Sequence, residues 1–250
     1  MAKQKWIFEP TARRVRVEFG GEIIADSYNV MLLKESSYEL VYYFPQADVW
    51  SELLEPTDHT TASGYKGEAV HWSVRVGERE AENAAWVYPD TKDNRPDLRG
   101  YIAFKWGAMD HWYEENEEVF VHPRDPYHRV DTIQSDRHIR VEIDGVTVAE
   151  TTRPLLLFET GLPTRYYIPQ DDVRMDLLSL TDTHTHCPYK GEASYWTVDI
   201  EGVEHRDVVW GYLDPIAEIP RIEGLLAFYN EKLDIYVDGE QESKPRTVFA

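Results

Sequence analysis

Alternation of apolar and polar residues recurs along the chain. Val15-Arg16-Val17-Glu18-Phe19 and Ile139-Arg140-Val141-Glu142-Ile143 each keep a period of two. That period sets the apolar side chains on one face, as a half-buried strand requires. Gly20-Gly21 and Asp144-Gly145 follow as hairpin turns, with return strands predicted over 22–25 and 146–149. Short apolar runs at 30–33 and 155–158 predict buried strands. Further strands are predicted over 40–44 and 165–168, where Pro45 and Pro169 stop them. Others are expected over 69–74, 84–88, 101–104, 193–198 and 225–228. Helix is predicted only in short pieces: one or two turns over 48–54 and 172–178, capped by Asp48 and Asp172, and one turn over 214–220. Many short strands separated by Gly, Pro and Asp predict an all-β fold with few short helices.

The pattern occurs twice. Tyr65-Lys66-Gly67-Glu68-Ala69 returns as Tyr189-Lys190-Gly191-Glu192-Ala193, with Trp72 and Trp196 each three residues further on. Sliding positions 15–114 over 139–238 also superposes Tyr42-Tyr43 on Tyr166-Tyr167, Asp48-Val49 on Asp172-Val173 and Leu53-Leu54 on Leu177-Leu178. Trp86 and Tyr88 meet Trp210 and Tyr212, and Gly100, Ala103 and Phe104 meet Gly224, Ala227 and Phe228. Copies of this length are large enough to fold as domains, unlike the short units of a solenoid. The expectation is two tandem homologous small antiparallel β domains, at 1–114 and 135–250, joined by a connector at 115–134. The connector is rich in Pro and charge but contains the apolar Val119-Phe120-Val121, so part of it should pack on a domain.

Composition narrows the function. The 250 residues carry 46 acidic against 26 basic side chains, a net charge of −20. Such a surface repels phosphate backbones and anionic headgroups, so neither nucleic acid nor membrane is an expected partner. Its plainer effect is solubility. Cys187 is the one cysteine, so no intrachain disulfide forms, and a reducing compartment fits. Met1-Ala2-Lys3-Gln4-Lys5-Trp6 is not the apolar run of a signal peptide, and no apolar stretch is long enough for a membrane helix. The expected location is the cytoplasm, as a monomer with internal pseudo-symmetry or a homodimer.

The repeated turn holds the first candidate site. Lys66 and Lys190 sit between Tyr and Gly, where backbone can approach a ligand closely. Tyr65 and Tyr189 are placed to flank each ammonium, and Glu68 and Glu192 to pair with it. A salt-bridged turn residue accounts for such a lysine better than anion binding does, and a reactive amine comes last. Trp86 and Tyr88, and Trp210 and Tyr212, stand two apart on a strand, which suits stacking on a planar ligand as well as core packing.

Thr183-His184-Thr185-His186-Cys187 puts two imidazoles on one strand face beside a thiol. Those are zinc-ligand chemistries, but no Cys-x-x-Cys pair accompanies them and the first copy reads Thr60-Thr61-Ala62-Ser63, so no metal is assigned. Cys187 as nucleophile would need a depressed pKa, for which Lys190 and the histidines are the available neighbours. The cluster His122-Pro123-Arg124-Asp125-Pro126-Tyr127-His128-Arg129-Val130-Asp131 is expected either as a clasp between domains or as the lining of a site. Phosphate loops, dinucleotide glycine patterns, nucleophile elbows and His-Glu-x-x-His helices are absent from the sequence.

One resemblance follows from the second copy. Tyr167 with Pro169, Asp172-Val173, Leu177-Leu178, the run from Thr183 through Cys187-Pro188-Tyr189-Lys190-Gly191-Glu192-Ala193 with Trp196, Trp210-x-Tyr212 and Gly224-x-x-Ala227-Phe228-Tyr229 resemble the domain-of-unknown-function 427 family. The resemblance covers nearly the whole chain in two copies. It implies a β-tent, two antiparallel sheets set at an angle around a cavity. The family name is linked to nucleotidyltransferases, yet the sequence offers no acidic metal-binding pair with a Gly-Ser element. The first copy departs from the pattern, with Ser63-Gly64 in place of Cys187-Pro188, so the second copy is the expected site.

These readings together predict a small-ligand binder, with each cavity lined by the Tyr-Lys-Gly-Glu turn and the Trp-x-Tyr strand. The candidate residues are Tyr65, Lys66, Glu68, Trp86 and Tyr88 in the first copy, and His186, Cys187, Tyr189, Lys190, Glu192, Trp210 and Tyr212 in the second. No cofactor is specified. The alternatives are an enzyme using Lys190 or Cys187 and a structural or protein-interaction module without a small-molecule site.

Overall fold

Each alternating run of the sequence is a strand in the computed structural model, which describes residues 6–35, 40–92, 96–247 and 249. The chain separates into two units, Met1–Arg124 and Asp125–Ala250. Among the described residues no helix reaches seven residues. The turns expected to be capped by Asp48 and Asp172 are pairs of single 3-10 turns, Gln46–Asp48 with Ser51–Leu53 and Gln170–Asp172 with Met175–Leu177. Neither aspartate caps them. Asp48 accepts from Ser27 Oγ at 2.6 Å and Asp172 from Thr151 Oγ1 at 2.7 Å, so each carboxylate ties its turn to the neighbouring strand.

In the first unit one antiparallel sheet has seven strands, in the order Ile7–Pro10, Met31–Lys34, Val41–Pro45, Tyr101–Phe104, Arg79–Val87, Gly67–Val76, Leu54–Ser63. The other has four: Glu117–Glu118, His111–Glu114, Val15–Phe19, Glu22–Ser27. The second unit repeats this plan, but its larger sheet is parted into three strands and four strands. An isolated bridge between Ile168 and Leu226, with N–H···O distances of 2.7 and 2.9 Å, links the two parts.

Strand alternation gives the larger sheet two apolar faces. In the first unit Phe44, Val87, Ile102 and Phe104 join Val15, Val17 and Phe19 of the smaller sheet in the main core. Their sequence neighbours Tyr43, Tyr88 and Ala103 point the other way, into a second cluster with Leu33, Ala69 and Leu98. The second unit divides in the same manner, with Tyr167, Trp210, Tyr212 and Ala227 in the second cluster. It is this second face that carries the repeated turn.

Even the irregularities are duplicated. Register shifts fall between Trp72 and Val74 and between Trp196 and Val198, and again between Val17 and Glu18 and between Val141 and Glu142. Asn83 and Asp207 hold φ of 52° at corresponding bulges. Thr57 and Thr181 donate to their side chains at 2.6 and 2.8 Å, which supports an Asx residue in a left-handed conformation. The gapless match slips once. Ala103 opposes Trp86 as Ala227 opposes Trp210, but Trp112 opposes Val17 whereas Ile235 opposes Val141. The second copy is thus one residue shorter in the loop before its last long strand.

The segment expected as a connector, 115–134, is shared between the units. Glu117–Glu118 pairs with His111–Glu114, and Val119 is buried in the first core. Val130–Gln134 is an edge strand of the second unit, paired with Leu155–Glu159.

Candidate ligand site

The Tyr-Lys-Gly-Glu stretch is a tight turn between long antiparallel strands, and its glycine has a steric reason. Gly67 and Gly191 hold φ of 112° and 102°, where a side chain is strained. A Cβ on Gly67 would also lie 2.9 Å from the Asp90 carbonyl oxygen, and one on Gly191 3.3 Å from that of Asp214. In the second unit Lys190 N–H donates to the Cys187 carbonyl at 3.2 Å, and Ile216 N–H donates to the Lys190 carbonyl at 3.1 Å. The backbone is therefore held on both sides, and the lysine side chain is turned inward.

Both lysines are removed from water. The Lys190 side chain is 9% exposed and the Lys66 side chain 18%. Neither pairs with the glutamate of its own turn. Lys66 Nζ donates to Glu35, and Lys190 Nζ to Glu159. Glu68 is exposed. Glu192 instead meets His184 Nδ1 at 3.3 Å and His186 Nε2 at 3.2 Å. The reason is strand geometry: the residue after the turn glycine faces the exposed side of its strand, away from the lysine.

Aromatic residues accompany each ion pair, and Tyr43, Trp86 and Tyr88 recur as Tyr167, Trp210 and Tyr212. Lys66 Nζ lies 5.7 Å from the Tyr88 ring centroid and 5.9 Å from that of Trp6. Trp86 Nε1 donates to Tyr43 Oη at 3.3 Å. Burial pushes the Tyr88 phenol up to about 12, with the Glu35 carboxylate adding to the shift. Burial likewise raises Tyr43, Tyr167 and Tyr212, so all four stay protonated and able to donate. Trp210 packs on Tyr229, with ring centroids 4.5 Å apart, and beneath the guanidinium of Arg165.

The second unit adds a group from the polar cluster at 122–131. His128 Nε2 lies 3.0 Å from Glu159 Oε1, so that carboxylate serves both an imidazole and an ammonium. The ring stacks on Tyr189 at 4.2 Å with an interplanar angle of 20°. Tyr189 Oη accepts from the Asp125 N–H at 2.7 Å. The polar cluster at 122–131 thereby contributes its C-terminal half to this site.

Other expected members are elsewhere. Tyr65 is 45% exposed and packs beside Trp6, with centroids 5.8 Å apart. Cys187 packs at the edge of the second apolar cluster, and His186 engages Glu192 on the exposed face. Among the described residues no group of three His, Cys, Asp or Glu side chains is arranged to hold a metal ion. Glu35 and Glu159 were missed although both are visible at the repeat offset. The available signal was an acid kept after the Leu-Leu run of each copy.

Fold and site define a tandem all-β protein in which each copy buries a Lys-Glu pair among tyrosines and tryptophan. The chain belongs to the family described as a domain of unknown function, DUF427, which matches residues 7–115 and 131–239. No curated protein matches the chain. Among the described residues no helix is long and apolar enough to cross a membrane.

Proposed function

We propose that the protein binds a small molecule through the buried lysine of each copy, with the second copy as the principal site. The ligand carries an oxygen acceptor, a carboxylate or a carbonyl, beside a planar or apolar body. One observation supports this reading above the others. An ammonium has three N–H donors, and Lys190 Nζ has a single acceptor, Glu159, among the described residues. At 9% exposure the two remaining donors have little access to bulk water, and buried donors left unfilled are costly. A ligand oxygen would fill one of them. Tyr167 and Tyr212, protonated and close to Glu159, would supply further donors and an aromatic wall.

The test is native mass spectrometry of the full chain as purified from cells, beside Lys190→Met and Lys66→Met. Support would be a bound mass that Lys190→Met removes and Lys66→Met reduces. The reading fails if wild type carries no added mass, or if the mass survives loss of both lysines.

The sharing of Glu159 by Lys190 and His128 favours one second reading, an enzyme with Lys190 as its amine. Condensation with a carbonyl compound would expel water and leave an imine at Nζ. Borohydride reduction of that imine would leave a stable added mass on Lys190, found by peptide mapping. Unmodified Lys190 after treatment with pyruvate and with acetoacetate would speak against it.

A further inference from the structure

The opposite face of the first unit's larger sheet holds a cavity whose lining does not include the lysine. It measures about 140 Å³ and is lined by Gln46, Val49, Ser51, Leu54, Trp72, Val87 and Ile102. Five of these are apolar, and Trp72 offers a half-buried indole face. A wholly apolar cavity of roughly 150 Å³ holds a benzene ring, and this one is similar in volume with two polar residues added to its lining. The polar members are set apart from the walls by chemistry. Gln46 and Ser51 make no side-chain hydrogen bond among the described residues, whereas Gln170, the counterpart of Gln46, donates through Nε2 to the Gly224 carbonyl at 2.8 Å.

The duplication supplies an internal comparison. Where the first copy has Ser51, the second has Met175, which packs on the second unit's core. Where the first has Val87, the second has Gly211, and a Cβ there would lie 2.7 Å from the Leu225 carbonyl oxygen and 3.5 Å from the Trp196 ring. Trp196 settles over that glycine and is 7% exposed, while its counterpart Trp72 stays half-buried. Ile102 is Leu226 in the second copy, and its Cδ2 would lie 3.0 Å from a Cβ on Gly211, so three exchanges distinguish the open pocket of the first copy from the filled position of the second.

We infer that the cavity at Trp72 is a second binding site, specific to the first copy, for a neutral single-ring aromatic molecule bearing one hydrogen-bonding group. The ring would lie against Trp72 between Val49, Leu54, Val87 and Ile102, and its polar substituent would meet Gln46 or Ser51 at the mouth. This site is independent of the lysine reading, because Val87 faces the main core and Trp86 and Tyr88 face the other cluster.

Phenol titrated into the full chain by calorimetry tests it. The expected result is one molecule per chain with a Kd on the order of 1 mM, a modest affinity for so small a ligand. Ser51→Met should weaken binding by at least about tenfold, since a filled hydrophobic subsite excludes atoms that the ligand needs. Val87→Leu, which extends one wall, should act in the same direction and keeps the test readable should Ser51→Met disturb its 3-10 turn. Absence of phenol binding, two molecules per chain, or wild-type affinity in both folded variants would overturn the inference.

Discussion

Glu159 stands 31 residues before Lys190, and the two meet in a buried ion pair; Glu35 and Lys66 repeat the arrangement at the same separation. In each unit the acid comes from the second strand of the larger sheet or its end and the base from a hairpin turn further along. The pair therefore locks together two segments that only tertiary folding makes neighbours. Breaking such a pair on one side leaves a charge without a partner in a poorly hydrated place.

Lys190→Met should lower unfolding free energy by about 3–5 kcal/mol, because Glu159 would remain buried without its ammonium partner. Adding Glu159→Leu should recover most of that loss, since an apolar pair of similar volume is tolerated where an unpaired ion is not. Urea denaturation of wild type, single and double variants reads both effects. A double variant no better than the single would show that the carboxylate is not what the single change strands.

The turn glycines should be intolerant in a graded way. Gly67→Ala and Gly191→Ala each place a side chain at positive φ, at a cost of about 1–3 kcal/mol. Gly67→Ala should be the worse, because its Cβ would stand 2.9 Å from a carbonyl oxygen against 3.3 Å in the second copy. Thermal unfolding of the two variants compares them, and equal losses would assign the cost to φ alone.

Arg165 tests a feature the copies do not share. It is 5% exposed, its partner Glu231 is fully buried, and they meet at 2.7 Å, while the first copy has Val41 at this position. Burial alone would push the Glu231 carboxyl up, but hydrogen bonds from Arg165 and Thr247 hold it below the usual carboxylate range. Stability from this group is present above the ordinary carboxylate pKa and is lost as pH falls through the lower folded value. Arg165→Val should cost about 3–5 kcal/mol at neutral pH and reduce the acid dependence of stability. Adding Glu231→Gln should restore part of the loss, as measured by denaturation at pH 7 and across the acid range.

Two histidines of the first unit should titrate on opposite sides of the ordinary imidazole value. The Glu118 carboxylate, 2.6 Å away, raises His111, whereas desolvation first, and the nearby His59, lower His71. His111 then favours the folded state fully below the unfolded imidazole pKa, and the effect disappears as pH rises through its higher folded value. His71 acts in the reverse sense. It opposes folding at low pH, and that penalty is gone above the unfolded imidazole pKa. Proton NMR titration of the ring signals should resolve the two, and Glu118→Gln should bring His111 down while leaving His71 in place.

The duplication, the all-β class and most strand positions were legible from residue order alone, because a period of two and Gly or Pro turns are local signals. Leu54–Ser63 was not. Its residues are mostly exposed on both faces as an edge strand, so no apolar alternation marks it. The lysine turn was also visible, down to the glycine that its backbone needs. The lysine's partner was misjudged, since nearness in sequence pointed to Glu68 and Glu192 while the pleat of the strand turns both outward. Glu35 and Glu159 reach the lysines, and His128 reaches Glu159, only because the fold brings distant segments together. In the same way the contrast between Trp72 over a cavity and Trp196 over Gly211 depends on packing across strands, which no local pattern records.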